Sequence, residues 1–168
     1  MRVVLRDDAS QRLGSSTQFV EIPDVKKGRL ALSGLVLGGQ QSVPVAGELE
    51  EGQLAAKDVN PTPAVRIFTQ GNSIVYAYEI FNARTDRNKK PQLEVEIRLF
   101  REGQQVTSLN PSAPDSDAQQ NSQRLIGVGR MQLTQMPPGD YMLQVIVTDK
   151  LAPEKNRIAA QSMDFEVR

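Results

Sequence analysis

Apolar and polar residues alternate with a period of two along most of this chain, and that period belongs to strands with one buried face. The cleanest run is Gln92–Arg101. Leu93, Val95, Ile97 and Leu99 point one way, and Glu94, Glu96 and Arg98 point the other. One wet face favours antiparallel pairing. Ser73–Phe81 is the segment densest in β-formers, with Ile74, Tyr76, Tyr78 and Ile80 on one face and Val75, Ala77, Glu79 and Phe81 on the other. Tyr141–Asp149 and Ile158–Val167 read as further strands, joined by a turn over Lys150–Arg157. Pro137-Pro138-Gly139-Asp140 is a tight turn before the first of them, because proline presets φ and glycine supplies positive φ. Burial of the inward positions of Gln92–Arg101 against these two strands is expected to supply most of the core energy, at roughly 1.5–3 kcal/mol per large side chain.

Arg29–Leu37 reads as one strand with Leu30, Leu32 and Leu35 inward, and Gly34 within it marks a bulge or a close backbone approach. Residues 38–60 read as a loop holding at most one short helix, around Glu48–Lys57. Ala64–Phe68 follows, entered through Pro61 and Pro63. Gln104–Leu109, Leu125–Val128 and Arg130–Leu133 are short strands, and Asn110–Gln123 is a long polar loop. Sustained helical periodicity is absent. About seven short strands over residues 29–168 predict an all-β chain folded as an immunoglobulin- or fibronectin-III-like antiparallel sandwich.

Before that module lies a hairpin that looks like a second copy of the chain's end. Met1–Asp7 aligns with Leu143–Asp149, and Ser15–Phe19 with Gln161–Phe165, the second copy having four more residues in its turn. The expected organisation is an orphan hairpin over 1–22, the terminal hairpin of a truncated preceding β-module, then a linker over 23–28 and the sandwich over 29–168. Such repetition suggests tandem β-modules. An isolated two-stranded hairpin is marginal in water, so it is expected to pack on the sandwich, pair with another copy or fray.

Composition narrows the chemistry. The 168 residues carry 20 basic and 20 acidic side chains, a balance that argues against nucleic acid as a partner. Cysteine and histidine are both absent. Disulfides, thiolate metal sites and a Ser-His-Asp triad are thereby excluded, and the usual base near neutral pH is missing. No stretch approaches the ~20 apolar residues of a membrane-spanning helix, so direct membrane insertion is not expected.

Candidate sites are few. Tyr76 and Tyr78, two apart on one strand, could form an aromatic platform for a carbohydrate, although such pairs more often pack a sheet. Glu94 and Glu96 could serve as an acid/base pair, but neighbouring glutamates on one strand face are ordinarily a solvated surface. Asp8-Ala9-Ser10-Gln11-Arg12 is a near miss to an Asp-x-Ser-x-Ser metal motif, with a cation where a hydroxyl is needed. Asp115-Ser116-Asp117 lacks the glycine and the glutamate of a calcium loop. No cofactor motif is present. These readings predict a non-enzymatic module that contacts another protein or a neighbouring module of its own polypeptide, with carbohydrate binding through Tyr76 and Tyr78 as the alternative.

Gln18-Phe-Val-Glu-Ile-Pro-Asp-Val-Lys-Lys-Gly-Arg-Leu-Ala-Leu-Ser-Gly34, Ile74-Val-Tyr-Ala-Tyr-Glu-Ile-Phe-Asn-Ala83, and Pro137-Pro-Gly-Asp-Tyr141 with Thr148-Asp-Lys150 resemble segments from the C-terminal region of bacterial VWFA-related proteins common in Acidobacteria. The resemblance spans nearly the whole chain. It implies a β-rich module in an extracytoplasmic protein of the periplasm, cell surface or medium. In that family the metal-dependent adhesion site sits in an upstream domain, so no metal ligand carries over to a residue of this chain.

Overall fold

A computed structural model describes residues 2–17, 25, 28–40, 66–114 and 124–168. The segment with the expected Glu48–Lys57 helix and the Asp115–Asp117 motif both lie outside the described residues. Among the described residues eleven strands run in chain order: β1 Arg2–Arg6, β2 Leu13–Thr17, β3 Ala31–Leu32, β4 Val36–Gln40, β5 Ile67–Phe68, β6 Ser73–Phe81, β7 Leu93–Arg101, β8 Gln104–Leu109, β9 Arg124–Gln132, β10 Gly139–Asp149 and β11 Ile158–Val167.

Three sheets result. β1 and β2 form a two-stranded ribbon; β5-β11-β10-β7-β8 form one large sheet; β6 sits between β9 on one side and β3 and β4 on the other. All pairings are antiparallel except β5 with β11, where Ile67 and Phe68 run parallel to Glu166 and Val167. The chain thus contributes β3 and β4 to one sheet and β5 to the opposite one before entering β6. This switch of an opening segment between sheets, with the order β3/β4-β6-β9 facing β5-β11-β10-β7-β8, is the strand arrangement of an immunoglobulin-like sandwich. The fold is all-β, as the alternation predicts, and an orphan hairpin precedes the sandwich.

The core lies between the two large sheets. From one come Leu32, Leu37, Ile74, Tyr76, Tyr78, Ile80 and Leu125, and from the other Val95, Ile97, Leu99, Leu143, Val145, Val147 and Phe165. Contrary to the expectation from sequence, the inward residues of β7, β10 and β11 do not bury against one another. Those strands are neighbours in one sheet, and their apolar face is covered by β3, β4, β6 and β9.

Local departures have local causes. The expected strand over Arg29–Leu37 is split. Leu32 pairs with Ile80 but Val36 pairs with Ala77, so Ser33, Gly34 and Leu35 oppose only Tyr78 and Glu79. The extra residue makes a bulge, one of the two readings of Gly34, and the open space around Gly34 excludes the other, a close backbone approach. Its ladder is closed by the Ser33 N–H donating to the Glu79 carbonyl at 2.9 Å and the Glu79 N–H donating to Ser33 Oγ at 2.9 Å. β9 is continuous where two short strands were expected, because Gly127 and Gly129 stay in the ladder opposite Tyr78 and Tyr76.

The opening ribbon and the β10–β11 hairpin share form but not register. The aligned copies would set Val3 opposite Ser15, as Val145 is opposite Gln161; instead Val3 pairs with Ser16. Their turns nevertheless close alike. The Asp7 N–H donates to the Arg12 carbonyl at 3.0 Å, and the Asp149 N–H to that of Arg157 at 2.8 Å. In each, Oδ1 accepts the N–H two residues on, from Ala9 at 3.1 Å or Leu151 at 2.9 Å. An aspartate that folds back on its own turn favours this bend in both places.

Candidate functional site

Tyr76 and Tyr78 do not form a platform. Each is only 4% exposed, within the core. Their position follows from register: Tyr76 faces Gly129 and Tyr78 faces Gly127 across the β6–β9 ladder. A Cβ at Gly127 would collide with the Tyr78 ring, and one at Gly129 with the Tyr76 ring. The glycines vacate the space that the rings fill. Burial pushes the Tyr78 phenol well above its ordinary value of 10.0, with the neighbouring Tyr76 adding to the shift. No exposed aromatic surface is left at this pair for a sugar to stack on.

Glu94 and Glu96 project outward from β7 as expected, but both are held in ion pairs. Arg98 donates Nε and Nη2 to the two oxygens of Glu96, each at 2.8 Å, and Ser108 Oγ adds a bond at 3.0 Å. These bonds, from Arg98 first and Ser108 second, hold the Glu96 carboxyl below its ordinary range. Glu94 lies 3.2 Å from Lys150. A carboxylate kept ionised by its neighbours is a poor proton donor. Asp8 to Arg12 form the exposed turn of the ribbon, with Gln11 at φ 57°. Among the described residues no three acidic side chains are arranged to hold a metal ion.

Two poles of the sandwich are tied by side chains. At one, the Tyr141 hydroxyl donates to the Pro137 carbonyl at 2.7 Å, four residues upstream at the start of β10. This is the tyrosine corner of immunoglobulin-like domains. The Tyr141 ring stacks on Phe165 at 5.6 Å and carries Arg101 at 5.7 Å on its face, and Phe165 meets Phe68 edge-on at 6.0 Å. Sequence reading found the Pro-Pro-Gly-Asp turn but missed the corner, whose signal was the tyrosine following it. At the other pole the buried Asp149 accepts the Arg84 N–H at 2.8 Å through Oδ2, locking the β6–β7 loop to the β10–β11 turn.

What remains exposed is apolar surface and open edges. Val3 is 44% exposed, Leu5 73% and Leu13 71%, and every residue of β1 is exposed. The described hydrogen bonds of the ribbon all close within it, including those of Asp7 with Ala9 and Ser10 and of Arg6 with Gln11. β8 is an edge strand, exposed along its whole length. An open cleft of about 690 Å³ lies at one end of the larger sheet, with Phe100, Met142 and Ile67 beside Glu102, Asp140 and Asp164.

Strand order, the switching opening segment and the tyrosine corner together define the class: an immunoglobulin-like β-sandwich module. No protein-family profile and no curated protein matches the chain. Among solved structures the chain is similar to the CARDB domain of a Pyrococcus furiosus protein in complex with di-metal ions, at 12% identity and a TM-score of 0.37 over 83% of this chain and 94% of that one. It is similar to AvmM, which catalyses macrocyclization in alchivemycin A biosynthesis, at 11% identity and a TM-score of 0.40 over 61% of this chain and 83% of that one. It is also similar to the Pseudomonas fluorescens alkylpurine DNA glycosylase AlkC bound to DNA containing an abasic site analog, at 14% identity and a TM-score of 0.39 over 83% of this chain and 30% of that one.

Proposed function

We infer that the chain is a noncatalytic module for protein–protein contact or spacing within a larger cell-envelope or secreted protein. The observation that carries this reading is the β1–β2 ribbon, whose apolar side chains stand in solvent and whose strand edges are unpaired among the described residues. Two strands alone are marginal, and an edge of this kind is completed by another strand. The paired Glu94 and Glu96 support a noncatalytic role. The extracytoplasmic setting rests on the resemblance to VWFA-related proteins.

For the chain in solution the available strand-bearing partner is a second copy. Amide exchange over a concentration series tests this. Protection of Val3–Leu5 should rise with concentration while that of β7 and β10 stays constant, and Leu5→Lys should abolish the rise. Exchange of Val3–Leu5 at the unstructured rate at every concentration would remove the basis for contact through the ribbon.

A further inference from the structure

On the outer face of the smaller sheet, Arg130 of β9 has Nε and Nη2 buried without a hydrogen-bond partner. A guanidinium N–H shut away from water without an acceptor is costly, so an unfilled fork of this kind calls for an occupant. Three other arginines show which occupant fits. Arg98, Arg124 and Arg168 each present Nε and Nη2 to both oxygens of one glutamate. Arg98 meets Glu96 at 2.8 and 2.8 Å, Arg168 meets Glu166 at 2.6 and 3.1 Å, and Arg124 meets Glu79 with its Nε at 2.9 Å. Arg130 offers the same two atoms.

Among the described residues its own sheet supplies no such partner. Arg124 reaches Glu79 diagonally, since Glu79 is the ladder partner of Ile126. The positions that flank Arg130 on β6 are Val75 opposite and Ser73 and Ala77 on the diagonals. On the far side of Val75 lies Gly38. Val75 faces away from the core yet is only 3% exposed, and Gly38 is buried. The fork thus lies beside Val75, Ala77 and Gly38, a largely buried apolar stretch of the sheet and a low-dielectric setting in which a charge-assisted, two-pronged bond is strong.

We propose that the Arg130 fork is a carboxylate-binding subsite on the outer face of the β3/β4-β6-β9 sheet. Side-on geometry selects a planar anion with two oxygens, and a lysine could not reproduce it. The subsite does not draw on the ribbon, so failure of contact through β1 leaves it intact.

The test observes the Arg Nε–Hε signals of the intact, isotope-labelled chain by NMR during titration with sodium acetate, against sodium chloride at equal ionic strength. The Arg130 signal should shift downfield and saturate with acetate only, while those of Arg98, Arg124 and Arg168 hold still. Arg130→Lys should remove the saturable response, and the unsubstituted chain alone decides the matter if that variant does not fold. A capped tripeptide with a central glutamate, beside its glutamine counterpart, separates the sources. A stronger response to the glutamate peptide than to acetate assigns the subsite to an acidic side chain of a polypeptide, and the reverse assigns it to a small free carboxylate. An Arg130 signal that moves alike in acetate and chloride, or not at all, overturns the proposal.

Discussion

At the scale of single residues, the interlock of Tyr76 and Tyr78 with Gly129 and Gly127 leaves no room for a side chain at either glycine. A methyl group added at Gly127 has to displace a buried ring, and overpacking of this kind costs about 1–3 kcal/mol. Gly34 has open space around its α-carbon and is exposed. We predict that Gly127→Ala lowers stability by about 1–3 kcal/mol, whereas Gly34→Ala stays within about 0.5 kcal/mol of the parent. Urea denaturation of both variants checks this, and equal midpoints would refute the interlock. The sequence placed Tyr76 and Tyr78 on the same face as Ile74 and Ile80, and that face is the core. Their depth was not legible, because it depends on which residues of β9 lie opposite. Two glycines in a run such as Arg130's strand look like breaks until the register shows that they make room.

At the scale of elements, the two aspartate turns separate local from tertiary stabilisation. Asp7 and Asp149 close their turns with the same pair of bonds, yet only Asp149 is buried and also holds the Arg84 N–H of a distant loop. Removing the buried Asp149 carboxylate strands two part-buried backbone donors, at about 1–3 kcal/mol, while the exposed Asp7 turn can turn to water. Asp149→Ala should therefore destabilise the sandwich by about 1–3 kcal/mol, and Asp7→Ala by less than about 0.5 kcal/mol. Thermal or urea unfolding followed by circular dichroism measures both, and equal losses would contradict the distinction. Alternation made β7, β10 and β11 legible, since each has a buried face and a more exposed one, and density of β-formers made β6 legible. β5 was legible as a strand but not as a parallel partner of β11, since two residues carry no signal of direction. A glycine inside an apolar run narrowed Gly34 to a bulge or a close backbone approach, and only the register decided for the bulge. The unpartnered Arg130 was not readable, because its isolation depends on Ser73, Val75 and Ala77 lying across from it.

At the scale of the whole molecule, ribbon and sandwich make different demands on solvent. The sandwich buries one face of each large sheet against the other, and its two poles are fastened by Tyr141 and Asp149. The ribbon keeps its described hydrogen bonds to itself and leaves Val3, Leu5 and Leu13 in water. Surface that is exposed in the folded chain contributes little to the difference between folded and unfolded states. The slope of a urea transition, which scales with the surface newly exposed, should then be set by the sandwich. Deleting residues 1–22 is accordingly expected to leave the urea midpoint and slope unchanged within the roughly 10–15% error of extrapolation, while ending any concentration-dependent protection of the chain. A clear fall in midpoint together with a shallower slope would mean that the ribbon unfolds with the sandwich as one cooperative body. The apolar side chains of β1 would then belong to the core of this fold rather than to a contact with another strand.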